Sequence, residues 1–448
     1  MQVTVAGSAS LAPDSSRIEK ETMRKVGIRL LPFLIICYFI AYVDRVNVGF
    51  AALTMNKDIG LSAAAFGLGA ALFFVAYVLF EIPSNLALER FGARRWIARI
   101  MISWGLVGIG SAFVTGPVGF SVSRFLLGAA EAGFFPGVIL YLTYWFPKAY
   151  RARIVAMFMV AIPLSSFVGS PLSAALLSLD GMAGLRGWQW LLILEAVPAI
   201  LLGLASLVVL PSKPAEGRFL TAEQKAWLEG RLAAERQAAL GRDSGHGSIW
   251  SVLTNKQVWL LAVIYSGSSA TSNTLSLWMP QILKGFGLSN LETGLLNMIP
   301  FGIASAFMIF WGLRADKSGE RIWSTALPLA LTSISFALTL LTDSLTLTLL
   351  LLSLVLLGNY AIKGPFFALA TETLSPAAAA AGIAAINTLA HLGTGAITSL
   401  IGVLREQTGS FPVALLPLCA LTGVGCLLVL WIGREQIQAG STARTAPA

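Results

Sequence analysis

Asn85-Leu86-Ala87-Leu88-Glu89-Arg90-Phe91-Gly92-Ala93-Arg94-Arg95 and Gly312-Leu313-Arg314-Ala315-Asp316-Lys317-Ser318-Gly319-Glu320-Arg321 lie 227 residues apart in register (89 to 316, 92 to 319). An acid, a base and a glycine recur at identical spacing: Glu89, Arg90 and Gly92, then Asp316, Lys317 and Gly319. Short polar loops are commonly basic, which accounts for the arginines but not for the matched acid and glycine. The chain therefore reads as an internal duplication.

Each copy directly follows a long apolar run, and such runs dominate the 448 residues, of which 56% are hydrophobic and 12% charged. Soluble domains carry about twice that charge, so a soluble enzyme is excluded. A bilayer core asks about 20 apolar residues of a helix, and about twelve such runs lie between Leu30 and Ile432. Short alternating strands of a membrane barrel are missing. The expected fold class is an all-α polytopic membrane protein with twelve transmembrane helices in two six-helix bundles.

The organisation follows from where polarity returns. Residues 1–27 read as an N-terminal tail without a cleavable leader, 28–210 as the first bundle, 211–256 as a linker, 257–433 as the second bundle and 434–448 as a C-terminal tail. With the tails and linker in the cytoplasm, that side holds about 22 Lys and Arg against about four opposite, as the positive-inside rule requires. The +9 net charge is thus explained without nucleic acid, and the expected location is a bacterial inner membrane with both termini cytoplasmic. In the linker, Thr221 and Gln224 have capping-box spacing, and Trp227, Leu228 and Leu232 form one apolar face, predicting an interfacial helix. Cys37, Cys419 and Cys426 lie in apolar runs, where packing is the expected role.

Duplicated bundles that rock about a shared site are the architecture of secondary transporters. The paired loops resemble the signature of the major facilitator superfamily, whose acid and arginine form a gating charge relay; the resemblance assigns that role to Glu89, Arg90, Gly92, Arg94, Asp316, Lys317, Gly319 and Arg321. Glu89 stands where the family usually has Asp and Asn85 where it has Gly. Tyr42-Val43-Asp44-Arg45-Val46-Asn47, Glu81-Ile82-Pro83-Ser84-Asn85, the stretch from Arg124 to Gly137, Trp278-Met279-Pro280-Gln281 and Gly364-Pro365-Phe366-Phe367-Ala368 are similar to the anion:cation symporter branch, near its tartrate and phthalate permeases.

Charges inside membrane spans are expensive and mark candidate sites. Asp44 and Arg45 lie in the first span, Arg124 and Glu131 in the fourth; seven residues apart, the latter two share a helix face. A carboxylate substrate needs a permanently charged, forked donor, which Arg45 and Arg124 offer. A coupling proton needs a carboxyl that burial makes neutral and a neighbouring arginine makes charged; Asp44 and Glu131 are the candidates. Fixed pairs Asp44–Arg45 and Arg124–Glu131 are the structural alternative. The resemblance implies the same division, protons on Asp44 and Glu131, with Arg45 and Arg124 contacting the anion or its coupling acid.

Lys363 is either a second anion contact, a snorkelling lysine or the partner of Glu372. Asn387 and His391, four apart, share a face of the eleventh span; the resemblance puts a hydroxyl-binding Asn at 387, while His391 replaces a more usual Asn. A helix–helix hydrogen bond is the plainer role for His391, and helix-end or packing roles are the plainer ones for Glu81 and Glu195. Tyr38, Tyr42, Phe366 and Phe367 are available to stack on an aromatic acid. The leading function is import of a small organic anion, a tartrate-like or other carboxylate, with protons by alternating access. A proton-coupled efflux antiporter and a non-transporting receptor for an organic acid are the alternatives. No Gly-x-x-x-x-Gly-Lys-[Ser/Thr] loop supports ATP-driven transport. The expected protein is a monomer in the lipid bilayer, not an enzyme, without cofactor, and with the proton as coupling ion.

Overall fold

In the computed structural model, which describes residues 12–240, 254–374 and 379–445, the apolar runs fold as helices. The first half holds α1 (Ala12–Asp58), α2 (Ala63–Phe91), α3 (Ala93–Ser111), α4 (Gly116–Glu131), α5 (Phe134–Thr143), α6 (Lys148–Leu176) and α7 (Gly187–Val209). The linker contributes α8 (Ala222–Leu240). The second half holds α9 (Lys256–Lys284), α10 (Asn290–Ser318), α11 (Ile322–Leu338), α12 (Leu345–Ala361), α13 (Lys363–Thr373), α14 (Ala379–Thr408), α15 (Phe411–Ala414) and α16 (Leu416–Thr445).

Ten spans, with α4–α5, α12–α13 and α15–α16 each counted as one, are long and apolar enough to cross a membrane. Two more helices, α3 and α9, pack among them and complete the twelve: α3 against α4 and α7, α9 against α1, α14 and α16. Both are less apolar for local reasons. Arg94, Arg95 and Arg99 lie in α3, and α9 carries serines and threonines from Ser266 to Ser276. Several of those hydroxyls donate one turn back, as Ser266 does to Ala262 and Ser276 to Ser272, which satisfies them inside the helix.

The repeated loops acquire a backbone reason. Gly92 ends α2 with φ 86° and Gly319 ends α10 with φ 65°, and their amides donate to Leu88 and Ala315. A left-handed residue at that position favours glycine over any side chain, so the glycine is duplicated with the turn.

The bundles meet along three helix pairs, α2 with α14, α6 with α10 and α1 with α9. The fourth span of each bundle is interrupted. Gly133, at φ 81°, separates α4 from α5, and Ile362 separates α12 from α13. A charged residue sits at each interruption, Glu131 as the last residue of α4 and Lys363 as the first of α13.

Two departures from the expected layout stand out. The tail expected over 1–27 is helical from Ala12 onward, because Thr22, Met23, Val26 and Leu30 form an inward stripe that is buried with the bundle. Likewise α16 continues past 433 to Thr445. The linker helix forms, with the Thr221–Gln224 box in place, but its apolar face is not left for the membrane surface. Leu228 and Leu232 are buried against protein, Gln224 accepts from Lys25 of α1, and Glu235 accepts from the Lys148 amide at the start of α6.

Candidate functional site

Arg45 projects from α1 toward the end of α4, where its Nε and a terminal nitrogen both reach Oε1 of Glu131, at 2.7 and 2.6 Å. The break at Gly133 leaves that carboxyl at a helix end. The pair is enclosed, with side chains 15% and 3% exposed. The Arg45 guanidinium is bracketed by Tyr42, Phe73 and Tyr77 at 4.9, 5.4 and 5.4 Å from the ring centroids, an aromatic cage suited to a cation. Phe73 also carries Arg124 on its ring, at 5.0 Å. Gly128 makes this possible, since any side chain there would collide with the Phe73 carbonyl and force α4 away from α2.

Asp44 points elsewhere. Successive helical residues diverge by about 100°, so Asp44 turns into the first bundle while Arg45 faces its edge. Its Oδ1 accepts from Asn47 Nδ2 at 2.8 Å. Asp44, Asn47, Ser123, Arg124 and Leu192 line a cavity of about 20 Å³, room for one water. Arg124 makes no hydrogen bond or ion pair among the described residues, and its buried Nε has no acceptor. Neither fixed pair, Asp44–Arg45 nor Arg124–Glu131, forms; Glu131 is taken by Arg45 instead.

The second bundle answers with Lys363, which is 6% exposed and lies 5.3 Å from the Tyr360 ring and 6.0 Å from that of Tyr265. It has no anionic partner among the described residues. Glu372 pairs with Arg321 at 3.1 Å, which removes it as the partner of Lys363. Tyr265 is held by stacking on Phe366 at 5.0 Å. His391 packs on Phe74 and Tyr77 of the first bundle, at 6.1 and 5.3 Å, and its Nδ1 is buried without a partner. It lies within electrostatic reach of both Arg45 and Lys363. Asn387, one turn before His391 on α14, is half-buried.

Among the described residues the two hydrogen bonds that join the bundles lie on the side away from α8. Asn297 donates to Ser170 at 2.7 Å and the Ala64 amide to Glu406 at 2.7 Å. Phe66 meets Trp278 at 5.0 Å on the same side, and Gly67 lies against Gly402 with no room for a side chain. On the α8 side no hydrogen bond or ion pair links the bundles among the described residues. This is the geometry of a state closed on the far side. The second repeated loop is engaged within its own bundle, with Arg321 at 3.7 Å from Asp316 as well as pairing Glu372. Glu89, Arg90 and Arg94 of the first form no ion pair within 4.0 Å among the described residues.

Sequence reasoning passed over Phe73, Tyr77, Asn47, Tyr265 and Tyr360. A ring inside an apolar run looks the same whether it packs or holds a cation. Asn47 alone carried a signal, an amide at three residues from an intramembrane acid.

The family model described as Major Facilitator Superfamily matches residues 34–398. A protein of Agrobacterium vitis described as a "Putative tartrate transporter" is 45% identical over 426 residues, 95% of this chain and 98% of that one. A "Quinolone resistance transporter" of Acinetobacter baumannii is 38% identical over 92% of this chain and 94% of its own length. Among solved structures, a bacterial homolog of the human lysosomal transporter Spinster, in an inward-facing and occupied conformation, superposes with TM-score 0.69 at 16% identity, over 94% of this chain and 98% of that one.

Proposed function

The chain belongs to the Major Facilitator Superfamily, a family of membrane transporters and not enzymes, and from that premise we propose that it imports a small dicarboxylate of the tartrate type together with protons by alternating access. What supports this reading is an enclosed cation beside tyrosine rings in each bundle: Arg45 beside Tyr42 and Tyr77, Lys363 beside Tyr265 and Tyr360. His391 senses both. A guanidinium from one bundle and an ammonium from the other suit an anion with two carboxylates, and tyrosine hydroxyls and Asn387 suit the hydroxyls between them.

Coupling follows from competition for Arg45. While Glu131 is ionised it occupies the guanidinium; a proton on Glu131 releases Arg45 to a substrate carboxylate. Bound across both bundles, the dianion draws Arg45 and Lys363 together, which favours closing the bundles around the loaded site. Substrate and proton then leave on the side where Glu131 ionises and reclaims Arg45. The likeness to a tartrate transporter supports the substrate class.

Export of an organic compound against protons is a second reading, favoured by the likeness to the quinolone resistance transporter. Counterflow of labelled tartrate in liposomes tests the substrate class: exchange that Arg45→Gln and Lys363→Gln each abolish supports it, and exchange indifferent to both rejects it.

A further inference from the structure

Glu195 of α7 has no part in the scheme above, yet it is 3% exposed. Its Oε1 accepts from Ser173 Oγ at 2.7 Å, while Oε2 is buried with no donor. The groups that face it can be named helix by helix. From α1 come Asp44, within electrostatic reach, and the Asn47 carboxamide, close to this carboxyl but forming no hydrogen bond to it within 3.5 Å, and from α6 comes Ser173. Helix α3 presents glycines: a side chain at Gly105 would meet the Ala196 carbonyl at 3.1 Å, and one at Gly108 would meet the Ala196 side chain at 2.9 Å and Asp44 at 3.9 Å. From α4, Arg124 lies beyond the cavity it shares with Asp44. Glu81 of α2 acts on Tyr77 and Arg45, not on this group. No cation pairs with Glu195 within 4.0 Å among the described residues.

The charge balance of this interior is uneven. Asp44, Glu131 and Glu195 oppose Arg45 and Arg124. Arg45 is committed to Glu131, Arg124 faces Asp44, and Glu195 is left over. A single proton makes the five groups neutral, and an oxygen without a donor is where it fits, because a protonated carboxyl needs no cation beside it. The Asn47 carboxamide, donating to Asp44 and lying beside Glu195, ties the two acids into one unit.

We propose that Asp44 and Glu195, bridged by Asn47, hold one exchangeable proton between them, placing a proton site inside the first bundle behind the substrate-facing Arg45–Glu131 pair. When the proton moves from one acid to the other, one O–H bond breaks, one forms, and the charge of the unit is unchanged. The proposal rests on the symport reading, but its test can be read without substrate.

Infrared spectroscopy of the purified protein in lipid, scanned with pH and exchanged into deuterium oxide, reports protonated carboxyls through their carbonyl stretch. Wild type is expected to show such a band, Glu195→Gln to lose it and Asn47→Ala to shift it. In liposomes Glu195→Gln is expected to move one proton fewer per substrate. A wild-type spectrum with no protonated carboxyl near neutral pH overturns the proposal whether or not any variant folds, as does a band that Glu195→Gln and Asn47→Ala both leave in place. Failure of symport alone would instead appear as intact bands without substrate-driven proton movement.

Discussion

Replacing Glu131 with Gln isolates the competition for Arg45. In the native protein two guanidinium nitrogens share one carboxylate oxygen at 2.6 and 2.7 Å, with both side chains largely enclosed. Removing one charge of such a pair costs about 3–5 kcal/mol, because the other is left buried and uncompensated. Gln keeps an acceptor oxygen, and a hydrogen bond to a charged group returns about 1.5–3 kcal/mol. The net loss is then on the order of 1–3 kcal/mol, and a substrate carboxylate that takes Arg45 restores it. At about 1.4 kcal/mol per decade, the variant should bind the anion about tenfold more tightly. Its thermal midpoint should be lower without ligand and rise further with it. Calorimetric titration reads the affinity and a thermal melt the midpoint; unchanged affinity would refute the competition.

Other residues make separate predictions. Lys363→Gln should weaken a dicarboxylate about tenfold more than a monocarboxylate, since only the former uses the second cation; equal losses would remove Lys363 from the site. Asp44→Asn should keep exchange of labelled substrate yet lose pH-driven accumulation, and undiminished accumulation would take Asp44 out of the coupling. Gly128→Val should cost about 1–3 kcal/mol or more by pushing α4 off the Phe73 backbone, seen as a lower thermal midpoint and lost substrate binding. A side chain at Gly49 would lie 2.6 Å from the Ser276 carbonyl and 2.9 Å from that of Leu277. Gly49→Leu should therefore hold the far side apart, with greater labelling of cysteines introduced on the far side and no counterflow; unchanged labelling would mean that α1 and α9 do not form the seal.

The architecture was legible because membrane physics leaves strong marks. Spans declared themselves by length, and the matched glycines declared a turn that the structure places at φ 86° and 65°. Intramembrane charges were equally visible, since each is costly enough to need a reason. What the sequence hid was partnership. Arg124 and Glu131 share a helix face, but α4 stops at Glu131, and the carboxyl reaches across to α1 instead. Tyr77, Tyr265 and Tyr360 were indistinguishable from packing residues until the helices set them beside Arg45 and Lys363. The polar composition before Gly27 concealed a helical stripe whose partners, α8 and the start of α6, are distant in sequence, as the bond from Tyr150 to Glu19 illustrates.

The central claim is that protons enter with an anion held by Arg45. Purified protein in liposomes enclosing a pH dye, challenged in turn with tartrate, an aldonate, phthalate and nicotinate, tests it directly. The account predicts acidification of the lumen with tartrate that Arg45→Gln abolishes. Silence across the panel from folded protein, or alkalinisation of the lumen, would contradict it.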